Sequence, residues 1–240
     1  MKLLQLNTWS CGLAPEIAKL LEREQPDIVC LQEVVRATET GKIIHSVDEI
    51  LADYPFQYEY YSPLVEFDFM HGKAQRGNMI LSQHPILEQK TFWTHGNFQP
   101  DFGYSVGYNA ARGVAHCEIE TLQGILDVVT THGYHVREHK NGNDETFKAC
   151  QLIKEYVGAL NHPVVLMGDF NLVPTSESMN ILNTSMRNLC IEHELTTTRN
   201  HLTNKTEVCD YILTSRDISV QSFEALDDVV SDHMALMLTI

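Results

Sequence analysis

The sequence predicts a single layered domain of the α/β or α+β class. Short apolar runs alternate with helical patterns along all 240 residues, and no repeat or low-complexity segment divides the chain. A strand–helix–strand spacing near the start predicts parallel pairing, and a hairpin-like spacing near the middle predicts antiparallel pairing. Strands of both directions with helices between them are typical of a layered sandwich rather than of a parallel barrel. We therefore assign residues 1–240 to one domain, which at this length buries roughly 70–75% of the unfolded chain's surface.

The first half of the chain begins with a strand, a helix and a second strand. Leu3–Leu6 is a short apolar run, and Pro15 stands where a first helical residue is expected, so the helix extends from there to about Gln25. Asp27–Leu31 is a second, buried strand. Ser46-Val47-Asp48-Glu49 has the form of a capping box and predicts a short helix. Two more strands are predicted at Gln57–Tyr61 and Asn78–Ser82.

The second half of the chain begins with the predicted hairpin. Val114–Glu120 and Ile125–Thr131 flank a four-residue link that ends in Gly124. Asp144–Leu160 has helical periodicity and predicts a helix. The apolar residues expected on its buried face are Phe147, Leu152 or Cys150, Ile153, Tyr156, Val157 and Leu160. The remaining strands are predicted at Pro163–Met167, Val208–Leu213, Ile218–Phe223 and Ala235–Ile240.

The overall charge of the chain limits its partners. Lys and Arg number 17 against 32 Asp and Glu, which gives a formal charge of −15. Binding to long nucleic acid depends on many contacts between phosphate groups and Lys or Arg, so a broad nucleic-acid surface is not favoured, although a local basic patch is compatible with this balance.

The apolar segments and the cysteines indicate where the protein functions. The longest uncharged stretches, Leu3–Pro15 and Tyr156–Gly168, have 13 residues each, short of the ~18 residues that cross a bilayer. We therefore expect no membrane span, and the polar Gln5 and Asn7 argue against a signal peptide. The six cysteines show no paired spacing, so we expect buried free thiols in a reducing cytoplasm. We also expect a monomer.

Five apolar runs end in acidic, amide or imidazole side chains. Strand ends are where buried scaffolding meets solvent, so several of them together form a rigid cleft of oxygen ligands and bases suited to Mg²⁺ and a phosphate. Each ending alone is more often a turn or a cap. The five are Leu6-Asn7, Leu31-Gln32-Glu33, Thr131-His132, Gly168-Asp169-Phe170-Asn171 and Ser231-Asp232-His233.

These endings belong to an ordered set that resembles a known superfamily. Together with Leu6-Asn7-Thr8-Trp9, Gly77–Ser82 and Asp210-Tyr211-Ile212, they are similar in kind and order to the motifs of the endonuclease/exonuclease/phosphatase superfamily, which includes deoxyribonuclease I and the tyrosyl-DNA phosphodiesterases. The resemblance covers nearly the whole chain. It implies a four-layer sandwich of two central mixed β-sheets flanked by helices, with the active site at one edge, and a phosphoesterase that uses Mg²⁺, for which Mn²⁺ can substitute.

The resemblance also assigns roles to the residues around the metal and the attacking water. Glu33 is implied as the principal Mg²⁺ ligand, with Asn7 and Asp232 as further groups of the metal region. Asn7 could equally contact phosphate. Asp169 is implied as the group that orients or deprotonates water, and Asn171 as an amide donor to a phosphate oxygen.

The remaining implied groups are histidines and arginines. Asp210 resembles the carboxylate that pairs with His233 and fixes its tautomer, while His233 contacts the phosphate as a base or as a charge. His132 resembles the second histidine of the family, which contacts phosphate or assists the leaving oxygen. Arg76 and Arg112 are candidates for phosphate binding, although a surface charge and a loop brace are equally compatible with the sequence.

Two motifs depart from the family pattern. Arg76 stands where many relatives have a Glu that pairs with the counterpart of His132, so the sequence favours phosphate binding by His132 over proton transfer. Trp9 stands where some nucleases have Asp, so a second metal-site carboxylate is not expected at this position. The later histidines His135 and His139 show no established metal spacing and are expected in a solvated loop.

Two aromatic-rich segments, Tyr54–Phe69 and Phe92–Tyr108, are the expected specificity loops. Most of their side chains should serve packing, while some could line a pocket for a base, an inositol ring or an apolar group. The candidates in the second segment are Phe92, Trp93, Phe98, Phe102, Tyr104 and Tyr108.

The leading hypothesis is a Mg²⁺-dependent phosphoesterase that hydrolyses a phosphomonoester or phosphodiester by in-line attack of water. A DNA endonuclease, exonuclease or DNA-repair phosphodiesterase is the alternative at the level of the substrate. A catalytically silent binding module on the same fold is the alternative from another class, because a fold alone does not establish activity.

Overall fold

The computed structural model describes residues 1–38, 45–69, 72–103 and 110–240. Tyr104 and Tyr108 lie outside the described residues. Within these ranges the strands form two six-stranded sheets. The first sheet has the order β11-β12-β1-β2-β4-β3, with β1 (Lys2–Asn7), β2 (Ile28–Ala37), β3 (Tyr58–Phe69), β4 (Gly72–Ser82), β11 (Ser222–Ala225) and β12 (Leu236–Thr239). The second has the order β5-β6-β7-β8-β10-β9, with β5 (Ile86–His95), β6 (Arg112–Thr121), β7 (Gly124–His132), β8 (Val164–Asp169), β9 (Arg187–Asn188) and β10 (Asp210–Thr214).

Helices cover the outer faces of both sheets. They are α1 (Ala14–Glu24), α2 (Val47–Asp53), α3 (Asp144–Gly158), α4 (Glu177–Asn183) and α5 (Leu189–Glu192). Along β1, Leu3 packs in the core between the two sheets, whereas Leu4 packs on the opposite face against α1 and α2. This alternation with a period of two is what a strand buried on both faces requires. The second sheet is covered by α3 and α4, so the expected four-layer sandwich is confirmed.

The strand register brings the predicted polar strand ends to one edge. β1 and β2 are parallel, which places Asn7, the last residue of β1, beside Gln32 in the middle of β2. β7 and β8 are also parallel, and their last residues, His132 and Asp169, are paired. β10 runs antiparallel to β8 and begins with Asp210 opposite Asp169. Side chains that are far apart in sequence therefore meet at one edge of the sandwich.

Most predicted elements are present with changed bounds, and the middle of the chain contains more strand than expected. The segment Tyr54–Phe69 is mainly β3, and Phe92 and Trp93 belong to β5 rather than to a loop. Phe92 packs against Tyr156 of α3, with ring centres 4.3 Å apart. These aromatic side chains alternate between sheet faces, so they serve mainly to pack layers together.

The buried face of α3 differs from the prediction. The helix buries Thr146, Ala149, Cys150, Ile153 and Val157. Phe147 and Leu152 are 38% and 43% exposed, because they lie roughly 90–130° around the helix from the centre of that stripe. Cys150 rather than Leu152 therefore faces the core, and Leu160 follows the end of the helix.

The predicted capping box at α2 does not form. Ser46 is the residue before the helix, but its hydroxyl makes no capping hydrogen bond. The Glu49 carboxylate instead accepts from the main-chain amide of His45, one residue earlier, at 3.1 Å. A reciprocal capping box is present at α3, where Asn143 and Thr146 cap each other.

The cysteine prediction is confirmed, since all six thiols are buried and free. In the described ranges no helix has the length and apolar character to cross a bilayer.

Candidate active site

The polar strand ends line a cleft of about 510 Å³ at one edge of the sandwich. Its walls contain most of the side chains that the sequence suggested, together with several that it did not. The lining residues are Trp9, Glu33, Arg76, Phe102, Arg112, His132, His135, Asp169, Asn171, Arg199, Lys205, Asp232 and His233. Asn7 and Asp210 lie directly behind this surface and contact the lining residues.

Asp169, the last residue of β8, is the buried carboxylate at the centre of the cleft. Its Oδ2 accepts from Asn7 Nδ2 at 3.0 Å, and its Oδ1 accepts from the main-chain amide of Asn171 at 2.8 Å. Burial raises the pKa of Asp169, but the nearby His233 and His132 lower it by more than burial raises it. The net pKa is well below the ordinary value. Asp169 is therefore an oriented, ionised carboxylate at neutral pH.

Asp210 and His233 form a hydrogen-bonded pair behind Asp169. The Nδ1 atom of His233 lies 3.0 and 2.8 Å from the two oxygens of Asp210. Thr198 and Gln5 also donate to this fully buried carboxylate, at 2.7 and 3.3 Å. Burial lowers the pKa of His233, whereas the Asp210 charge and hydrogen bond raise it more strongly, and the net pKa is raised. Nε2 of His233 is left to face the cleft, 3.8 Å from Asp169 Oδ2.

Arg199 is a site residue that the sequence reading missed. Its guanidinium contacts His233 Nε2 and lies 3.6 Å from the Asp232 carboxylate. Arg199 is 5% exposed, and its Nε makes no hydrogen bond among the described residues. It lies in the connection between α5 and β10, where no motif in the sequence marked it. The fold alone brings this charge to the cleft.

His132, the last residue of β7, lies between Asp169 and Glu33, two of the carboxylates that line the cleft. Its Nε2 lies 3.8 Å from Asp169 Oδ2 and 3.9 Å from Glu33 Oε1. Burial and the neighbouring Arg112 lower the pKa of His132 to about 3. At neutral pH His132 is therefore a neutral imidazole, which offers a hydrogen bond rather than a positive charge.

Glu33 is presented to the cleft by a bulge in β2. The pairing between β2 and β4 shifts between Leu31 and Val34, and Glu33 has a positive φ of 56°. The bulge breaks the regular alternation of side chains along β2 and turns the Glu33 carboxylate, which is 24% exposed, toward the cleft. Ser10 Oγ donates a hydrogen bond to this carboxylate at 3.3 Å. Burial raises the pKa of Glu33, but His132 and Arg76 lower it by more than burial raises it, so the net pKa is below the ordinary value.

The donor chemistry at Glu33 fits a hard divalent cation. An ionised carboxylate with oxygens facing a water-accessible cleft is a typical Mg²⁺ ligand. The two polar atoms of Asn7 are already engaged, because Nδ2 donates to Asp169 and Oδ1 accepts from the amide of Trp9 at 3.1 Å. Asn7 therefore holds Asp169 in this structure. Ligand atoms of Asp169, Asp210 and His233 also lie within 4.8 Å of one another, but hydrogen bonds already engage the Asp210 oxygens and His233 Nδ1.

Asp232 and Asn171 complete the predicted set. The Asp232 carboxylate is 14% exposed and lies 3.7 Å from His233 Nε2, on the Arg199 side of the cleft. Asn171 has a positive φ of 56°, a conformation that Asn tolerates well. Its Oδ1 accepts from Lys140 Nζ at 2.5 Å, which points its amide nitrogen away from that lysine. Lys140, which is buried, is another residue that no sequence motif marked.

Cationic side chains are concentrated in this cleft although the chain is acidic. Arg76, Arg112, Arg199 and Lys205 line it. Arg112 is 7% exposed, and its Nε makes no hydrogen bond within the described ranges. Burial and the charge of Arg76 lower the pKa of Arg112 to about 10, so the group stays charged at neutral pH. A buried cation that faces a cleft is suited to an anionic ligand.

The loop histidines and the aromatic candidates divide between cleft and surface. His139 is exposed, as expected, whereas His135 lines the cleft, which corrects the solvated position predicted for it. Burial and the charge of Lys140 lower the pKa of His135 to about 4. Among the aromatic candidates within the described residues, Phe102 lines the cleft. Trp9 also lines the cleft and is 46% exposed.

Comparison with known proteins identifies relatives of this chain. The model of the Endonuclease/Exonuclease/phosphatase family matches residues 4–233. The Escherichia coli (strain K12) protein YbhP is 28% identical over 171 residues, which cover 66% of this chain and 59% of YbhP. Exodeoxyribonuclease III of Haemophilus influenzae is 24% identical over 191 residues, which cover 75% of this chain and 61% of that enzyme. The chain thus spans about three-fifths of the length of these curated relatives.

Solved structures show the same fold. The mannosyl-6-phosphatase Bt3783 of Bacteroides thetaiotaomicron VPI-5482 superposes with a TM-score of 0.74 at 17% sequence identity, covering 100% of this chain and 98% of that one. At this identity the likeness shows the fold alone.

Proposed function

The chain belongs to the endonuclease/exonuclease/phosphatase family, and from this premise we propose that it is a metal-dependent phosphoesterase. The reaction is the hydrolysis of a phosphomonoester or phosphodiester by in-line attack of water. One observation carries the proposal: the ionised, buried Asp169 is fixed by Asn7 and Asn171, and it lies between His132 and His233 at a cationic cleft. Among its relatives, an exodeoxyribonuclease and a sugar phosphatase are phosphoesterases by name.

Glu33 is the residue proposed to hold the metal, with Mg²⁺ as the expected ion and Mn²⁺ as a substitute. When bound, such a cation would polarise the phosphoryl group and offset the charge that develops on its oxygens. Family members typically use a divalent metal, which agrees with the donor chemistry at Glu33. Asp232 is a further candidate for the metal region, although Arg199 already lies 3.6 Å from its carboxylate.

Asp169 is proposed to orient the attacking water. Its hydrogen bonds from Asn7 and Asn171 fix both oxygens, so a water bound to Asp169 has a defined direction of attack. A carboxylate with a strongly lowered pKa is a weak proton acceptor. Orientation is therefore its main contribution, and Asp169 accepts the water proton only once the new bond to phosphorus has formed and that oxygen has become acidic. The bond from phosphorus to the ester oxygen breaks on the opposite side, and the alkoxide that leaves takes a proton from solvent.

The cations on the other side of Asp169 are proposed to stabilise the phosphoryl charge. Arg199 and His233 bring a guanidinium and an imidazole nitrogen into contact at the cleft, where the guanidinium can donate to an anionic phosphoryl oxygen. Asp210 keeps His233 in one orientation by holding Nδ1. Asn171 and the neutral His132 offer hydrogen bonds, which a carboxylate in either place could not donate.

Compact substrates are favoured by the shape and charge of the molecule. The cleft of about 510 Å³ has the volume of a small-molecule site. The net charge of −15 repels an extended polyanion at long range, while the cations inside the cleft attract one phosphate group at short range. A phosphorylated small molecule, or a phosphate at the end of a strand, fits both properties.

Nuclease activity is the second candidate, favoured by the four cationic side chains that line the cleft. These charges could contact consecutive phosphates of a nucleic acid strand. The same charges are equally able to bind two anionic groups of a compact substrate.

A substrate screen separates the candidates. Purified protein with Mg²⁺ or Mn²⁺ is incubated with phosphomonoesters, phosphodiesters, single- and double-stranded DNA and phosphotyrosyl oligonucleotides, and released phosphate or shortened strands are measured. The expected result is hydrolysis of a compact phosphoester that the Asp169→Asn variant cannot perform. Preferred cleavage of internal DNA positions would favour the nuclease. Binding of a phosphoester without hydrolysis under any of these conditions would favour the silent binding module.

A further inference from the structure

A second group of metal-ligating side chains lies at the opposite end of β7 from the cleft. Glu118 of β6 and Asp127 of β7 are directly paired across the two strands, and His162 lies two residues before β8. One potential ligand atom of each side chain lies within 4.8 Å of those of the other two. Asp127 is five residues from His132 along β7, about 17 Å at the usual rise of a strand. This group is therefore separate from the proposed active site.

The strand register places like charges side by side at this position. Glu88, Glu118 and Asp127 stand opposite one another across β5, β6 and β7. Carboxylates that face each other across strands destabilise a sheet, and Asp127 is fully buried, which adds a desolvation cost. Lys90 interacts with Glu88 and Glu118, but its ammonium lies over the Tyr156 ring, 5.0 Å from the ring centre. Further positive charge beside Asp127 would stabilise the fold.

Two buried polar atoms in the group face each other without a hydrogen bond. Asp127 Oδ2 and His162 Nδ1 are 3.4 Å apart. Neither atom has a hydrogen-bond partner in the described part of the chain. In a tetrahedral zinc site with bonds of about 2.0–2.1 Å, two ligand atoms are about 3.3 Å apart. The separation of 3.4 Å therefore lets both atoms bind one ion without rearrangement.

A hydrogen-bonded pair behind Asp127 holds its carboxylate in place. His116, which is buried, lies with Nε2 2.9 Å from Asp127 Oδ1 and with Nδ1 2.7 Å from the Tyr156 hydroxyl. With that hydroxyl as the donor to Nδ1, Nε2 carries the proton and donates to Oδ1. Such hydrogen bonds commonly orient metal-binding carboxylates. They leave Oδ2 of Asp127 directed at His162.

We propose that Glu118, Asp127 and His162 bind a second divalent metal ion, for which zinc is the best fit. One imidazole nitrogen with two carboxylate oxygens suits Zn²⁺ or Co²⁺, whereas Mg²⁺ prefers oxygen ligands throughout. The His162 side chain is 32% exposed, so the group borders solvent, from which an ion and a water ligand would enter. The ion joins β6, β7 and the segment before β8, so its role is structural. The proposal does not depend on the hydrolytic function.

Zinc binding is tested in a background that weakens the cleft as a metal site. Chelator-treated Glu33→Gln protein is titrated with Zn²⁺ alone in a calorimeter and with Co²⁺ in an absorption spectrometer. His162→Ala and Glu118→Gln are each added to this background, and His139→Ala, an exposed histidine outside the group, is the matched control. We expect one equivalent of Zn²⁺ to bind. Either ligand variant should weaken binding by at least about a hundredfold, because loss of an indirect partner alone costs about 10–100-fold.

Thermal unfolding provides the second measurement. Zn²⁺ should raise the melting temperature of Glu33→Gln and of its His139→Ala derivative, but not that of the two ligand variants. The use of two variants covers the case in which one of them fails to fold. If Zn²⁺ binds the ligand variants as tightly as the control, or does not bind the Glu33→Gln protein at all, Asp127 and His162 form an ordinary ion pair and the proposal is wrong.

Discussion

Asp169 shows how closely the polar groups of the cleft depend on one another. Its Oδ2 is approached by Asn7, His132 and His233, which come from three different strands or loops. Each contact lowers the freedom of the carboxylate, and the two histidines also lower its pKa. A change of charge at Asp169 should therefore affect the reaction more than any change at the rim of the cleft.

The Asp169→Asn variant is expected to lose at least about a hundredfold in the rate of hydrolysis. The amide keeps the size of the side chain and an oxygen that can accept from Asn171, but it loses the negative charge that orients water. Steady-state kinetics with the best substrate measure the loss. Asp53→Asn, an exposed aspartate of α2, is the matched control and should behave as wild type. Near-wild-type rates in Asp169→Asn would remove this residue from the mechanism.

The pKa of His233 should respond in opposite directions to its two neighbours. Asp210 raises the pKa of His233 and Arg199 lowers it, so Asp210→Asn should lower that pKa and Arg199→Met should raise it. Nuclear magnetic resonance titration of the His233 ring, with His139 as an internal exposed reference, measures both shifts. A His233 pKa that does not move in Asp210→Asn would refute the electrostatic coupling of the pair.

The same pair has a defined effect on stability. Because the folded-state pKa of His233 is raised above the unfolded value of ~6.5, the pair stabilises the fold fully below about pH 6.5. This contribution to stability is lost as the pH rises through the raised folded-state pKa of His233. The melting temperature of Asp210→Asn should therefore differ from wild type more at pH 6 than at pH 9, and an equal difference at both would contradict this assignment.

At the scale of elements, the bulge in β2 lowers the stability of the fold but places the Glu33 carboxylate at the cleft. Glu33 has a φ of 56°, a left-handed conformation that costs a residue of its type about 1–2 kcal/mol. The surrounding pairing between β2 and β4 resumes at Val34 and holds the bulge in place. The strained conformation at Glu33 directs the carboxylate to the cleft, which the regular alternation of side chains along a strand would not do.

Two substitutions at Glu33 separate strain from charge. Glu33→Gln removes the charge and keeps the strain, whereas Glu33→Asn removes the charge with a residue that tolerates positive φ. Denaturant unfolding without metal should therefore give Glu33→Asn a higher free energy of unfolding than Glu33→Gln, by up to about 1 kcal/mol. Both variants should be inactive at the metal concentration that saturates the wild type. Equal or lower stability of Glu33→Asn would mean that the bulge is not strained.

The elements also show which structural features the sequence could predict. Leu3–Leu6, Asp27–Leu31 and the hairpin around Gly124 were predictable, because apolar periodicity and turn residues are local signals. The exposed position of Phe147 was not, because the rotation of α3 is decided by packing against the sheet. Neither was the contact of Arg199 with His233, which depends on pairing between segments 34 residues apart. The polar strand ends could be recognised, but their distances required the fold.

At the scale of the whole molecule, charge is distributed unevenly. The chain carries a formal charge of −15, yet four cationic side chains line one cleft. These cations come from segments spread over more than half of the sequence, so no basic run reveals them. The surface should repel long polyanions, while the cleft attracts a phosphate group that has come close.

This distribution predicts a preference that salt can test. Compact phosphoesters should be hydrolysed faster than internal positions of duplex DNA, and their kcat/KM should fall only weakly between low and physiological salt, because few phosphate contacts are involved. Plasmid nicking and hydrolysis of the small substrates are compared at the same enzyme concentration across a salt series. Plasmid nicking at physiological salt that exceeds hydrolysis of every small phosphoester would reverse the preference.

The most direct test of the metal-dependent mechanism is restoration of activity by added metal. Chelator-treated wild type and Glu33→Gln protein are assayed on the same phosphoester while Mg²⁺ or Mn²⁺ is titrated back. Wild type should be inactive in chelator and recover fully with either ion, whereas Glu33→Gln should keep its fold by circular dichroism and need a far higher metal concentration, because it lacks the carboxylate that binds the ion. Full activity of the wild type in chelator, or the same metal dependence in both proteins, would contradict the assignment of Glu33 and the metal-dependent mechanism.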